Sequence, residues 1–208
     1  MNKIRMIALA ACMAATLDAS AQEQEIRLFS HRGGRMEHDE NTLSAFQASY
    51  DAGYRGFETD IRMTRDGALV ITHDSSLERT TNGTGTVEEK TEAEIRQLAT
   101  KQGNKMMFLD ELLEFLEGKE GLYVEFEMKT KPEALYPEER LHAYCDKLYD
   151  AVMAVKPADA TFVFTSGDYR GLRYLQAKHP GVDLLLITSK PCNDETIDLC
   201  KAMGIKRM

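Results

Sequence analysis

Four short clusters carry the residues of this chain that could do chemistry: His31-Arg32-Gly33, Glu58-Thr59-Asp60, His73-Asp74 and Glu127-Met128-Lys129. Each stands at or near the C-terminal end of an apolar run that reads as a β-strand. Strand ends would thus bring two imidazoles, three carboxylates and two cations toward one place, which is the inventory of a metal site built for phosphate chemistry. Phosphate chemistry needs negative charge neutralised and protons moved, and carboxylates that hold a metal, cations and imidazoles are the side chains that do so.

The elements that must position them alternate between strand and helix. Residues 26–30 form an apolar strand ending at His31, and residues 41–51 follow with Leu43, Phe46 and Tyr50 at helical spacing before Gly53. A second strand spans 56–64. Thr91 with Glu94 is a capping box ahead of Ile95 and Leu98, and Leu112, Leu113 and Leu116 mark a further helix ended by Gly118. The third strand spans 122–129, and a long helix over 138–155 repeats Leu141, Tyr144, Cys145, Leu148 and Val152 with the helix period. Strands at 161–165 and 184–188 each precede a helix, the first capped by Asp168 and the second by Asn193. Such βα alternation predicts a parallel sheet covered by helices, either doubly wound or closed as a (β/α)8 barrel, with ligands at the C-terminal strand ends.

Between Ile61 and Val70 the chain is too short for a crossover helix. Asp66-Gly67 is a two-residue hairpin signal, so strand two turns there and returns as residues 68–73, with His73 expected directly opposite Asp60. The period of two on strand three sends Val124, Phe126 and Met128 toward the helices and Glu125, Glu127 and Lys129 inward. Glu125 is read equally as an ion-pair partner of Lys129 or as a ligand. A row of unpaired inward carboxylates is expensive, and a divalent cation near the strand ends removes that cost.

The 208 residues, 43% hydrophobic and 29% charged, suit one large domain. The N-terminus is set apart: a basic start, an apolar run over 6–17 and Ala19-Ser20-Ala21 read as a signal peptide over residues 1–21, leaving a catalytic domain over 22–208. A lipobox ending at Cys12 is the alternative. Export to the periplasm or the extracellular space is expected either way, and the apolar run is too short for a membrane span. Lys3, Arg5 and Asp18 leave with the peptide, so the formal charge of −8 becomes −9. That surface disfavours nucleic acid and anionic membranes as partners. The remaining Cys145, Cys192 and Cys200 are too few for a disulfide framework.

With these residues in hand, the chain resembles the glycerophosphodiester phosphodiesterases of the phospholipase-C-like barrel group. The matching words are His31-Arg32-Gly33, Glu40-Asn41-Thr42 followed by Ala45-Phe46, Glu58-x-Asp60, Thr64-x-Asp66-Gly67, His73-Asp74, Arg79-Thr80-Thr81 and Glu127-x-Lys129. The resemblance implies a TIM-type (β/α)8 barrel that hydrolyses a small glycerophosphodiester to sn-glycerol 3-phosphate and an alcohol. It also implies one divalent metal on Glu58, Asp60 and Glu127, His31 and His73 as the acid–base pair, and Arg32 and Lys129 on the phosphate. Hard carboxylate donors suit Mg²⁺ or Ca²⁺ better than Zn²⁺, and no His/Cys cluster here has zinc spacing.

Asp39 stands where the family often has proline before Glu-Asn-Thr, and Ser166-Gly167 where it commonly has Ser-Phe. Only about five complete βα units are legible, with residues 205–208 as the opening of a sixth strand. The barrel is therefore expected to be C-terminally incomplete in this chain, with two unpaired sheet edges. Two alternatives follow: hydrolysis of another phospholipid-derived diester by the same site, or an inactive fragment that binds only metal or phosphate.

Overall fold

The computed structural model describes residues 27–208, so the expected signal peptide and Cys12 lie outside the described residues. In chain order come β1 (Phe29–His31), α1 (Leu43–Asp51), β2 (Gly56–Met63), β3 (Leu69–Ile71), α2 (Glu92–Ile95) and α3 (Leu109–Leu116). Then follow β4 (Tyr123–Met128), α4 (Glu138–Val155), β5 (Thr161–Ser166), α5 (Tyr169–Lys178), β6 (Leu184–Leu186) and α6 (Asp194–Ala202). Strands β1, β2, β4, β5 and β6 lie side by side and parallel, and β3 returns antiparallel against β2. This is the α/β class expected, a (β/α) barrel followed part of the way round. Beyond β6 the sheet begins to extend: Leu185 bridges Arg207 in parallel and the Leu186 N–H donates to the Arg207 carbonyl at 3.0 Å. Among the described residues β1 has no partner on its outer side, where Leu28 and Phe29 are exposed.

Alternation decides which side chains the sheet presents. Val124, Phe126 and Met128 are buried against the helices, while Glu125 and Glu127 point inward and are only partly covered. Helix α4 packs Leu141, Tyr144, Cys145, Leu148 and Val152 onto the same core, and each such buried side chain stabilises the fold by roughly 2 kcal/mol. Cys145 and Cys200 are buried, Cys192 is exposed, and all three are free thiols. No helix among the described residues is long and apolar enough to cross a membrane.

The long connection from β3 to α3 has a small core of its own. Ala68, Val70, Leu77, Val87, Ile95, Met106 and Phe108 cluster there, apart from the main core. Within it the expected capping box is present, Thr91 Oγ1 accepting from the Glu94 N–H and Glu94 accepting from the Thr91 N–H. The helix it starts is a single turn ending at Ile95, short of Leu98, because the next segment turns back so that Ala99 bridges Lys105.

The hairpin differs from expectation by one residue. Ile61 pairs with Ile71 and Met63 with Leu69, and the Thr72 N–H donates to the Asp60 carbonyl at 2.9 Å, so Thr72 and not His73 stands opposite Asp60. The loop has three residues, Arg65-Asp66-Gly67, because the Thr64 hydroxyl donates to Asp66 (2.7 Å) and accepts from the Ala68 N–H (2.8 Å). Gly67 supplies the left-handed backbone at φ +89°.

Candidate active site

Strand register sets the first contacts of the site. His31 lies beside Glu58 across the β1–β2 pair, and Asp60 beside Glu127 across β2–β4. Glu58, Asp60 and Glu127 each bring one carboxylate oxygen to within 4.8 Å of the others. Asp60 is wholly buried and Glu58 nearly so, and Glu58 Oε1 and Asp60 Oδ1 have no hydrogen-bond partner. Burial, and after it the charges of Asp60 and Glu127, raise the Glu58 pKa well above the usual carboxylate range. Burial also raises that of Glu127, against the opposing charge of Lys129. Converging, buried, unpartnered carboxylate oxygens are a donor set that fits a hard divalent cation.

The cations close around this triad. Lys129 Nζ donates to Glu127 Oε1 at 2.8 Å and lies 3.6 Å from Asp60 Oδ1. Arg32 is buried, with Nη1 on Glu40 Oε1 and Nε 3.2 Å from Asp60 Oδ2, though not in line to donate to it. It gets there because the chain leaves β1 through three successive left-handed residues, Arg32 (φ +53°), Gly33 (+76°) and Gly34 (+97°). The cost at Arg32, about 1–2 kcal/mol for a residue with a Cβ, is offset by its N–H, which donates to the Glu58 carbonyl (3.1 Å) and to Glu58 Oε2 (3.2 Å). Gly33 is required for a second reason: a Cβ there would lie 3.0 Å from Ala45 Cβ and Phe46 Cδ2 of α1.

His31 Nε2 is 3.4 Å from Glu58 Oε2, with half its side chain exposed. Burial and the charges of Arg32 and Arg35 lower its pKa. His73 reaches the site through the bend that follows Ile71, not through the ladder. Its Nδ1 is 2.6 Å from Asp74 Oδ1. Burial works to raise the Asp74 pKa, yet hydrogen bonds from Arg79 and His73 outweigh it and hold the carboxyl near about 2. Arg79 in turn grips both Glu40 oxygens (2.6 and 3.0 Å), so His73, Asp74, Arg79, Glu40 and Arg32 form one chain of contacts.

All seven residues singled out from sequence therefore sit at these strand ends: His31, Arg32, Glu58 and Asp60 around β1 and β2, Glu127 and Lys129 at the end of β4, and His73 with Glu127 and Lys129 along one cleft of about 410 Å³. That volume suits a small ligand. Glu125 does not pair with Lys129; it lies low in the interior beside Tyr123 and Arg207, and burial raises its pKa. Roles for Asn41, Glu40, Asp74 and Arg79 were not read from sequence. Asn41 is left-handed (φ +58°) and donates from Nδ2 to Asp60 Oδ2 at 2.9 Å. The motif words containing these residues were the available signal.

The family model described as the glycerophosphoryl diester phosphodiesterase family matches residues 31–206. A glycerophosphodiester phosphodiesterase of Caldanaerobacter subterraneus is 37% identical over 123 residues, covering 55% of this chain and 50% of its own. The human glycerophosphodiester phosphodiesterase 1 is 42% identical over 73 residues, 35% of this chain and 22% of its own. The chain spans about half the length of the first of these relatives and less of the second. Among solved structures, a phosphodiesterase of Oleispira antarctica in complex with the product sn-glycerol-3-phosphate superposes with a TM-score of 0.75 at 23% identity, over 86% of this chain and 72% of that one. A glycerophosphoryl diester phosphodiesterase of Parabacteroides distasonis gives 0.66 at 27%, over 88% and 61%. A family match that runs through every cluster of the strand-end site leads to one assignment: this chain belongs to the glycerophosphoryl diester phosphodiesterase family.

Proposed function

We propose that the chain carries the site of a metal-dependent glycerophosphodiester phosphodiesterase, which hydrolyses a small glycerophosphodiester to sn-glycerol 3-phosphate and an alcohol. The observation that carries this reading is the triad of converging carboxylates, of which Glu58 and Asp60 are buried and each keep one unpartnered oxygen, flanked by two cations and two imidazoles. Glu58, Asp60 and Glu127 would hold one divalent ion, Mg²⁺ or Ca²⁺, whose charge would offset that of the diester and stabilise the charge that grows during attack.

The protein's own groups do the rest. Arg32 and Lys129 hold the non-bridging phosphate oxygens, and Glu40 keeps the Arg32 fork turned toward the triad. Asp74 accepts the Nδ1–H of His73, which fixes the imidazole with Nε2 available to the cleft. One imidazole of the pair takes a proton from the attacking water as its oxygen bonds to phosphorus, and the other gives a proton to the alcohol oxygen as its bond to phosphorus breaks, each worth roughly 10²–10⁴-fold. The basic and then apolar N-terminal residues support export, so the reaction belongs outside the cytoplasm.

The test is glycerophosphocholine hydrolysis with Mg²⁺, with Ca²⁺ and with chelator, by the chain and by His31→Ala. Glycerol phosphate release is expected to need the metal and to fall at least about 100-fold in the variant. Release indifferent to both would remove the mechanism.

A further inference from the structure

Two residues beyond Asp60 on the same inward face of β2, Arg62 ends in a buried cage that the proposed chemistry does not use. Its side chain is 7% exposed. Nε donates to the His73 carbonyl at 2.9 Å, while Nη1 donates to Glu88 Oε1 at 2.7 Å and reaches the carbonyls of Lys129 (3.2 Å) and Lys131 (3.4 Å). One guanidinium therefore ties the bend that carries His73 to the exit of β4 that carries Lys129.

Glu88 completes the cage from the short 3₁₀ turn at Val87–Glu89. Its side chain is 2% exposed, and besides Arg62 it accepts from Ser75 Oγ (2.7 Å) and from Tyr136 Oη (3.0 Å). The Tyr136 hydroxyl accepts in turn from the Met63 N–H at 3.0 Å. Arginine suits this place because its planar fork reaches several carbonyls at once, which the single ammonium of lysine does not. Ser75, two residues after His73, is thereby held by the same carboxylate that neutralises Arg62.

We propose that Arg62 and Glu88 are positioning residues for the reaction: they fix the His73 imidazole and the Lys129 ammonium relative to each other without touching substrate. The proposal deepens the diesterase reading and rests on it for the roles of those two side chains. Misplacement by about 1 Å at a reacting centre costs on the order of 10²-fold in rate, so a slackened cage is expected to reduce kcat by that amount.

The experiment compares Arg62→Met and Arg62→Lys with the wild type and with Val152→Ala, a core substitution in α4 chosen as a control for lost stability. Activity on glycerophosphocholine with Mg²⁺ is measured well below each melting temperature and expressed per folded molecule. The His73 imidazole resonance, assigned with His73→Ala, is recorded in histidine-labelled protein. Arg62→Met is expected to lower kcat about 100-fold and to broaden or split that resonance, with Arg62→Lys recovering part of the rate. Val152→Ala is expected to change neither. A kcat within threefold of wild type in Arg62→Met, with an unchanged His73 resonance, would overturn the proposal and leave the cage a purely structural feature. A wild type inactive on the diester would instead overturn the diesterase reading, and the resonance alone would then decide whether the cage positions His73.

Discussion

Replacing Glu58 by glutamine is expected to stabilise the metal-free protein while abolishing its response to metal. Two ionised carboxylates with oxygens within 4.8 Å of each other repel by about 3 kcal/mol at an effective dielectric constant near 20, and Glu58 faces two such neighbours. Without metal, Glu58 escapes by holding a proton, since burial, Asp60 and Glu127 raise its pKa from 4.5 to about 9. The folded state then binds more protons than the unfolded state across that window, and stability falls as pH rises through it, by up to about 1.4 kcal/mol per unit. Glutamine removes the titration and keeps an oxygen to accept the Arg32 N–H. After discounting for relaxation of the cluster, a gain of about 2–3 kcal/mol is expected near pH 8 and almost none near pH 5. In a domain of this size that is a rise in Tm of roughly 5–10 °C. Melting curves followed by circular dichroism in chelator, and again with Mg²⁺ or Ca²⁺, read both effects. In the wild type the ion is expected to add about 2.7 kcal/mol at a hundredfold excess over its Kd, and in Glu58→Gln far less. A variant less stable than wild type in chelator near pH 8, or one that metal stabilises equally, would refute the electrostatic reasoning.

Asp74→Ala frees the His73 ring and is expected to lower kcat on glycerophosphocholine by about 10²-fold or more with the fold intact by circular dichroism. In the wild type the stabilisation from Asp74, held near about 2, is present above its ordinary value of 3.8 and lost as pH falls through 2, a limb that acid denaturation of Asp74→Ala should lack. Gly33→Ala meets both a left-handed φ and a 3.0 Å contact with α1, so a loss of about 1–3 kcal/mol in urea denaturation is expected, together with reduced turnover as His31 and Arg32 shift. Phe126→Ala empties a wholly buried position against Phe162 and should cost about 3–5 kcal/mol in the same assay, with the pH dependence of activity unchanged.

The inward and outward faces of β2 and β4 were legible because a period of two is a local property, and the helix at Glu138–Val155 because five apolar side chains keep its phase. The hairpin register was not. Asp66-Gly67 fits a two-residue turn, and only the Thr64 hydroxyl, which satisfies both Asp66 and the Ala68 N–H, selects the three-residue loop. His73 lines the cleft with Glu127 and Lys129 by a route other than the expected ladder, since the bend after Ile71 carries it there. Arg62 and Glu88 were overlooked for a different reason. They are 26 positions apart, and the value of each depends on a partner that nothing nearby in sequence announces. Arg62 did carry one signal, a cation on the same alternating face as Glu58 and Asp60.

The small core under the β3–α3 connection divides the site into parts with different persistence. His73, Asp74, Ser75, Arg79 and Glu88 all belong to that connection, whose apolar support is the seven-residue cluster from Ala68 to Phe108, whereas the three carboxylates stand on strands of the main sheet and Lys129 directly follows β4. Segments with few buried apolar contacts open locally at lower free energy than the whole domain. Such an opening would carry away a proton carrier and the Arg62 counter-ion together, leaving a molecule that still gathers its carboxylates but has no second imidazole. On warming, turnover would then fail before the sheet melts, and what ends the activity is the detachment of a flap held by its own small apolar cluster, while the larger core between sheet and helices stays folded.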